Sequence, residues 1–310
     1  MMQAQKHIPV MLSEVLRALD VKDGGLYVDA TFGFGGYTKA ILEAADCKVI
    51  ALDRDPNVCA RAEEIKAQYQ GKFEFVQGCF SDISALVGKP VDGVVFDIGV
   101  SSMQLDEAER GFSFSKKGRL DMRMSCEGLS AFDIVNTYDA KDIADILYRF
   151  GEERKSRQIA QKIVQRREIK PIETTTELAD IVRSVVYTKF GDTDSATRTF
   201  QALRIAVNDE LLELEEGLKG SSALLKEDGR LVVVDFHSLE DRIVKTFFKE
   251  NTAKKEHVSR YKNETQYTNN KLFSYASKVI LPNKCEINAN PRSRSAKLRF
   301  AIKNKGEQND

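Results

Sequence analysis

The stretch Asp29-Ala-Thr-Phe-Gly33-Phe-Gly35-Gly36-Tyr37 sets an acid and three glycines directly before a helical pattern. Glycines at such a turn let backbone N–H groups approach a ligand closely, and the helix start that follows favours electron-rich groups. Gly33, Gly35 and Gly36 are therefore candidate ligand contacts. Gly33-x-Gly35 opens a dinucleotide fingerprint, but its third glycine would fall at Thr38, which weakens a nicotinamide reading. Asp53 stands about 20 residues beyond that turn, at the end of the next apolar run, where a carboxylate can accept both hydroxyl protons of a ribose. Asp97 closes a later apolar run and is followed by Ile98-Gly-Val-Ser-Ser102. A carboxylate at that edge of an α/β sheet can accept a hydrogen bond from an amino group. Both a nicotinamide dinucleotide and S-adenosylmethionine carry the adenosine these residues would hold, so the turn and Asp53 do not separate them.

Further along, His237-Ser238-Leu239-Glu240-Asp241 places a histidine beside a serine. A hydrolase triad is disfavoured because adjacent side chains point apart and no G-x-S-x-G elbow exists; Ser238 and Asp241 fit a helix capping box instead. His237 remains a candidate for contacting a substrate base. Thr197, Gln201, Arg204 and Asn208 form a polar row on a helical pattern, suited to facing a cleft, and Arg198 offers a phosphate contact. In the loop Glu109-Arg110-Gly111-Phe112-Ser113-Phe114, Phe112 or Phe114 can supply a surface for stacking a base.

The elements that must carry these residues alternate. Leu26–Phe32, Lys48–Asp53, Phe73–Val76 and Gly93–Asp97 read as strands, with helical segments near 36–45 and 57–68, which implies a parallel, doubly wound α/β sheet. After Asp97 a long loop runs to about Gly128, and helical patterns then replace strands. Phe200, Leu203, Val207, Leu211, Leu214 and Leu218 recur at three- and four-residue steps and read as one helix packing back onto the sheet. Gly229–Phe236 resumes the strand pattern, and Ala296–Ile302 alternates as a strand. The expected organisation is a core split into residues 1–105 and 211–310 around an inserted loop and helical domain, 106–210.

With 310 residues, 42% hydrophobic and 30% charged, the chain has material for a substantial core. No basic-then-apolar leader and no apolar run of about 20 residues is present, which points to the cytoplasm and away from a membrane. Five scattered cysteines without a C-x-x-C pair and only three histidines suggest neither a disulfide frame nor a metal site. Formal net charge is zero, so bulk electrostatics cannot hold a polyanion. Local patches can: Arg149–Lys170 includes Arg154 and Arg157, and the segment after Lys284 includes Arg292 and Arg294 against the single acid Glu286.

Several blocks resemble a known family over nearly the whole chain: GLYVDATFGFGGYTKAIL, ALDRDP, DIGVSSMQLDEAERGFSFSKKGRLDMRM, YRFGEERKSRQIA, ATRTFQALRIAVNDEL, FHSLEDRIVK and NPRSRSAKLR. The sequence resembles the bacterial 16S ribosomal RNA cytosine-N4 methyltransferases. The resemblance implies a class I, Rossmann-like methyltransferase core interrupted by a helical domain. It further implies S-adenosylmethionine as methyl donor, with contacts at Gly35, Gly36, Tyr37, Asp53, Phe80, Asp97 and Gln104. The implied partner is 16S ribosomal RNA in the small ribosomal subunit, methylated at a cytidine of the decoding region; a homodimer is left open. Departures from the family pattern are Tyr37 for the usual histidine, Asp235-Phe236-His237 for the usual Ser-Phe-His, and no proline at Asp194-Ser195.

Cytosine N4 is a conjugated amine and a poor nucleophile, so such an enzyme must place it in line with the methyl group and localise its lone pair. Asp97 is the first candidate for that task, with His237 and Asn208 as further catalytic candidates. Arg110, Phe112, Arg154, Arg157, Arg198, Arg204, Arg292 and Arg294 are the candidate RNA contacts. A dehydrogenase and a catalytically inactive RNA-binding assembly factor are the alternatives.

Overall fold

The computed structural model describes residues 9–187, 189, 191, 193–253 and 271–305. The chain divides into two compact units, one formed by Met1–Gly99 with Leu212–Asp310 and the other by Val100–Leu211.

The first unit is built on a seven-stranded sheet of β1 (Leu26–Asp29), β2 (Lys48–Asp53), β3 (Phe73–Gln77), β4 (Val91–Asp97), β5 (Leu225–Asp235), β6 (Phe273–Ala276) and β7 (Lys297–Lys303). Their order is β3-β2-β1-β4-β5-β7-β6. β1 to β5 are parallel, and β7 runs antiparallel to both β5 and β6. Val94-Val95-Phe96 and Leu231–Val234 are buried along their length. Such uninterrupted apolar runs suit parallel strands covered on both faces, where alternation would leave polar groups in the core. The winding reverses between β1 and β4, so the loops that follow these two strands part and leave a crevice at their carboxyl ends.

The second unit is helical. Its main helices are Ala131–Thr137, Ala140–Gly151, Ser156–Arg167, Thr175–Val185 and Ala196–Asn208. Its own core gathers Ile143, Leu147, Ile159, Ile163, Leu178, Val182, Phe200 and Leu203.

Two expectations need correction. The apolar stripe from Phe200 to Leu218 is two helices, Ala196–Asn208 and Glu210–Leu224, because Asp209 turns left-handed (φ 50°) and caps the first through its N–H on the Ile205 carbonyl. Phe200 and Leu203 serve the helical core, whereas Leu214 and Leu218 serve the sheet core. Periodicity survives a one-residue break, so the stripe alone could not show it. The stretch from Gly99 to Gly128 is also less irregular than expected, since it contains a short helix, Ser102–Asp106. Among the described residues no helix is long and apolar enough to cross a membrane.

Candidate functional site

Three acids organise the crevice where the winding reverses. Asp29, fully buried at the end of β1, accepts hydrogen bonds from the Thr38 N–H (3.1 Å), the Thr38 hydroxyl (2.7 Å) and the Thr31 N–H (3.3 Å). It therefore ties both ends of the glycine turn to the strand that launches it. Asp53, closing β2, accepts from the Gly33 N–H (2.8 Å) and the Asp55 N–H (2.9 Å), one on each oxygen. Each Asp53 oxygen keeps a lone pair, so the carboxylate can still receive two ribose hydroxyls. Across the reversal, the backbone N–H of Asp97 donates to the Thr31 hydroxyl at 2.7 Å, which sets the end of β4 against the turn.

The turn itself needs glycine at position 35. Gly35 caps the helix Gly36–Ala44 with φ 76°, and a Cβ there would strike Ile65 and Phe32. Gly33 also has positive φ, and its N–H is committed to Asp53, so its part is to shape the turn. Tyr37 is buried and donates its hydroxyl to the Val10 carbonyl. Its ring thus anchors the helix, and only its backbone is left for a ligand. Phe80 is partly covered and meets Phe96 edge-on, with ring centroids 5.4 Å apart. Gln104 belongs to the helical unit, where its side-chain oxygen accepts the Ser101 N–H at 2.9 Å and closes a capping box.

Two acids at the strand ends are strongly perturbed, Asp97 closing β4 and Asp235 closing β5, and Asp97 is the one beside the glycine turn. Its Oδ1 is buried and has no hydrogen-bond partner among the described residues. Burial, then the charges of Asp29 and Glu240, push its pKa up to about 8. Burial likewise raises Asp29 and Asp53 to about 6, against the opposing pull of the Thr38 hydroxyl and the Thr31 and Thr38 N–H groups on Asp29 and of the Asp55 and Gly33 N–H groups on Asp53. An unsatisfied buried carboxyl oxygen costs free energy on the order of 1–3 kcal/mol, so its persistence at a strand end points to a donor that arrives from outside. S-adenosylmethionine fits this set: Asp53 suits its ribose, the helix start suits its electron-rich groups, and Asp97 suits an ammonium or sulfonium charge.

At the end of β5, His237 rather than Ser238 caps the helix Ser238–Asn251. Its Nδ1 accepts the Glu240 N–H at 3.4 Å, and Glu240 accepts from the Phe236 and His237 N–H groups at 2.9 and 3.2 Å. The capping box is therefore His237 with Glu240, one residue earlier than Ser238 with Asp241. His237 Nε2 also lies 3.0 Å from Glu240 Oε1.

In the helical unit several candidates turn inward. The Asn208 amide donates to the Met122 and Arg204 carbonyls (2.8 and 2.9 Å) and accepts the Met124 N–H at 2.8 Å, which makes it a brace for buried backbone instead of a catalytic group. Arg204 forms a two-pronged pair with Glu210, both bonds 2.8 Å, and its charge is spent there. Phe112 is buried in the helical core and cannot receive a base. Phe114, the other ring of that loop, packs edge-on against Phe200. Arg110 lies over the Phe112 ring and donates to the Arg123 and Met124 carbonyls, so it binds the loop together. Sequence reasoning missed these roles because a polar row on a helix looks the same whether it faces solvent or a neighbouring loop. Arg154, Arg157 and Arg198 remain exposed, as do Arg292 and Arg294 in the sheet unit.

The sequence reading also passed over Asp29 and Thr31 as site residues. Their signal was an acid at the end of an apolar strand, immediately before the glycine turn.

A sheet wound outward from β1 and β4, with a glycine turn and acids around the reversal, defines a nucleoside-binding α/β enzyme core. The chain belongs to the MraW methylase family, whose model matches residues 4–304. It is 55% identical to the ribosomal RNA small subunit methyltransferase H of Rickettsia akari (strain Hartford) over 302 residues, covering 96% of this chain and 99% of that protein. Identity to the protein of the same description from Rickettsia bellii (strain RML369-C) is 54% over 302 residues, with the same coverage of 96% and 99%. A solved rRNA methylase from Streptococcus thermophilus aligns over 97% of this chain and 100% of its own at 10% identity, with a TM-score of 0.42, too loose a likeness to add weight. Membership of a methylase family leaves the dehydrogenase alternative without support.

Proposed function

We propose that this protein transfers a methyl group from S-adenosylmethionine to N4 of a cytidine in the decoding region of small-subunit ribosomal RNA. The observation that carries the cofactor reading is the partnerless, buried Oδ1 of Asp97 at the strand reversal, on a strand end tied to the glycine turn through Thr31, while Asp53 is tied to the same turn through Gly33. Support for the RNA substrate comes from the relatives' description at 54–55% identity over 96% of the chain. When bound, S-adenosylmethionine supplies an electrophilic methyl carried on a sulfonium.

The residues of the chain do the rest by position and charge. Asp53 orients the ribose, which fixes the rest of the nucleoside relative to β4. Asp97, once ionised, would hold positive charge on the ligand, and its carboxylate can accept from an exocyclic amine brought beside it. A carboxylate accepting from that amine favours a pyramidal nitrogen and stabilises the charge that develops on it. Holding the amine in line, roughly 3–3.5 Å from the methyl, supplies several kcal/mol more. The cytosine must leave its stack to enter, which favours a loop or single-stranded target.

The test is transfer of labelled methyl to small subunits that lack the modification, followed by digestion and mass spectrometry of the labelled nucleoside. N4-methylcytidine at one site is expected. Label on another base, or on the ribose, overturns the assignment, and no label at all favours an inactive assembly factor.

A further inference from the structure

The helix Ser156–Arg167 in the helical unit carries Arg157, a candidate RNA contact from the sequence, on a broader exposed face whose other residues no step above uses. Ile159, Ala160 and Ile163 are buried, and Val164 is partly covered. Arg157, Gln158, Gln161, Lys162, Gln165 and Arg166 are exposed. At about 100° per residue these six fill one half-turn, running Arg157, Gln161, Gln165, Gln158, Lys162, Arg166 around the axis. Three amides thus form the middle of the face and cations form both rims.

Charge on this helix is unbalanced in a way the whole chain is not. The protein's formal net charge is zero, yet no Asp or Glu occurs from Lys155 to Arg167. Arg157, Lys162 and Arg166 make no ion pair or side-chain hydrogen bond among the described residues. The neighbouring cations are by contrast committed: Arg167 donates to the Val135 carbonyl (2.7 Å) and Lys155 to the Val185 carbonyl (3.0 Å). Those two bonds fasten the helix to its unit and leave the six-residue face free. Three unpaired cations on one rigid face repel one another mildly, and a helix stabilised only for itself would place acids at four-residue steps to relieve this.

We infer that this face docks on double-stranded RNA flanking the methylated nucleotide, an inference that rests on the ribosomal RNA reading above. The cations on the two rims meet the phosphates of the two strands. The glutamines between them, each with a donor and an acceptor, meet 2′-hydroxyls and base edges across the wide, shallow minor groove of A-form RNA. An exposed apolar surface would suit a protein partner, and the middle of this face has none. Because the target base must itself be unpaired, a separate duplex grip gives the enzyme purchase on a folded RNA without competing for the flipped nucleotide.

The experiment compares the full-length wild type with two variants, Arg157→Gln/Lys162→Gln/Arg166→Gln and Gln158→Ala/Gln161→Ala/Gln165→Ala. Glutamine and alanine keep helix propensity high, and unchanged S-adenosylmethionine affinity certifies folding. Binding to a small-subunit RNA fragment containing the target loop and its stem is measured across salt, with methyl transfer to the same fragment. For the cation variant the slope of log affinity against log salt should fall by about 2–3. Its affinity should match wild type near about 1 M salt and drop on the order of 100-fold near about 0.15 M. KM should rise with kcat unchanged. The glutamine variant should keep the slope and lose the preference for an RNA stem over a DNA stem of the same sequence. Equal slopes for wild type and cation variant, in a wild type that methylates the fragment, overturn the docking face alone. A wild type that transfers no methyl to RNA overturns the ribosomal RNA reading itself. Loss of binding to anionic lipid vesicles in the cation variant, with RNA binding intact, overturns the inference in favour of a membrane surface.

Discussion

Asp97 should make cofactor affinity depend on pH. Its carboxyl is raised to about 8 by burial and by Asp29 and Glu240, so near pH 7 it is mostly protonated in the free protein. A ligand bearing a sulfonium and an ammonium favours the ionised form, so binding must expel that proton. With a pKa of about 8, the apparent Kd scales as one plus ten raised to the difference between pKa and pH, which gives roughly a 25-fold tightening from pH 6 to pH 7.5. At pH 7, about 0.9 proton should be released per ligand bound. Isothermal titration calorimetry in two buffers of different ionisation enthalpy reads both quantities. Asp97→Asn removes the titrating group and should flatten the dependence while weakening binding at pH 7.5. The comparison also cancels titration of the ligand's own amino group. Wild-type affinities within about twofold across this range, with no proton release, would refute the reasoning, because the orphaned oxygen would then not face the ligand's charge.

Other consequences follow from single side chains. Asp235 is fully buried, neither carboxyl oxygen has a hydrogen-bond partner among the described residues, and burial, then Glu240 and Asp241, raise it to about 8 against the pull of Lys297 and Arg299. Because its folded pKa lies above the unfolded value of 3.8, the folded state keeps a proton that the unfolded state has lost, and stability falls as pH rises through that window. Asp235→Asn should remove this loss, gaining about 1.4 kcal/mol on the wild type per pH unit between roughly pH 5 and 8 in denaturant titrations; parallel curves would contradict it. Gly35→Ala combines a left-handed backbone with a clash on Ile65 and Phe32, and should cost about 2–4 kcal/mol together with measurable cofactor affinity. Arg204→Ala strands the buried Glu210 carboxylate and should destabilise by about 3–5 kcal/mol in urea unfolding without altering cofactor affinity.

Much of the sheet core was legible from sequence because its physics is local. The apolar runs of β2, β4 and β5 can satisfy their backbones only in a covered parallel sheet, and the acids that close them mark the edge where ligands bind. The glycine turn was legible for the same reason: Gly35 occupies a conformation that other residues resist. What escaped depended on partners distant in the chain. Arg204 pairs with Glu210 across a helix break that periodicity conceals, and Asn208 is consumed by the carbonyls and N–H groups of residues 122–124, more than eighty positions away. Phe112 lay in a loop whose composition suits solvent, yet the helical core takes it in. β6 was missed because Phe273–Ala276 is too short to show a period. The capping box at His237 was misplaced by one position, since serine is the commoner cap and nothing local shows that Glu240 is buried beneath it.

The most direct test is the crystal structure of the protein with S-adenosylhomocysteine, the product left by the proposed donor. The nucleoside is expected at the carboxyl ends of β1, β2 and β4, with its ribose hydroxyls on Asp53 and its amino-acid end or thioether beside Asp97 Oδ1. Well-ordered ligand elsewhere on the protein, with Asp53 and Asp97 untouched, would contradict it.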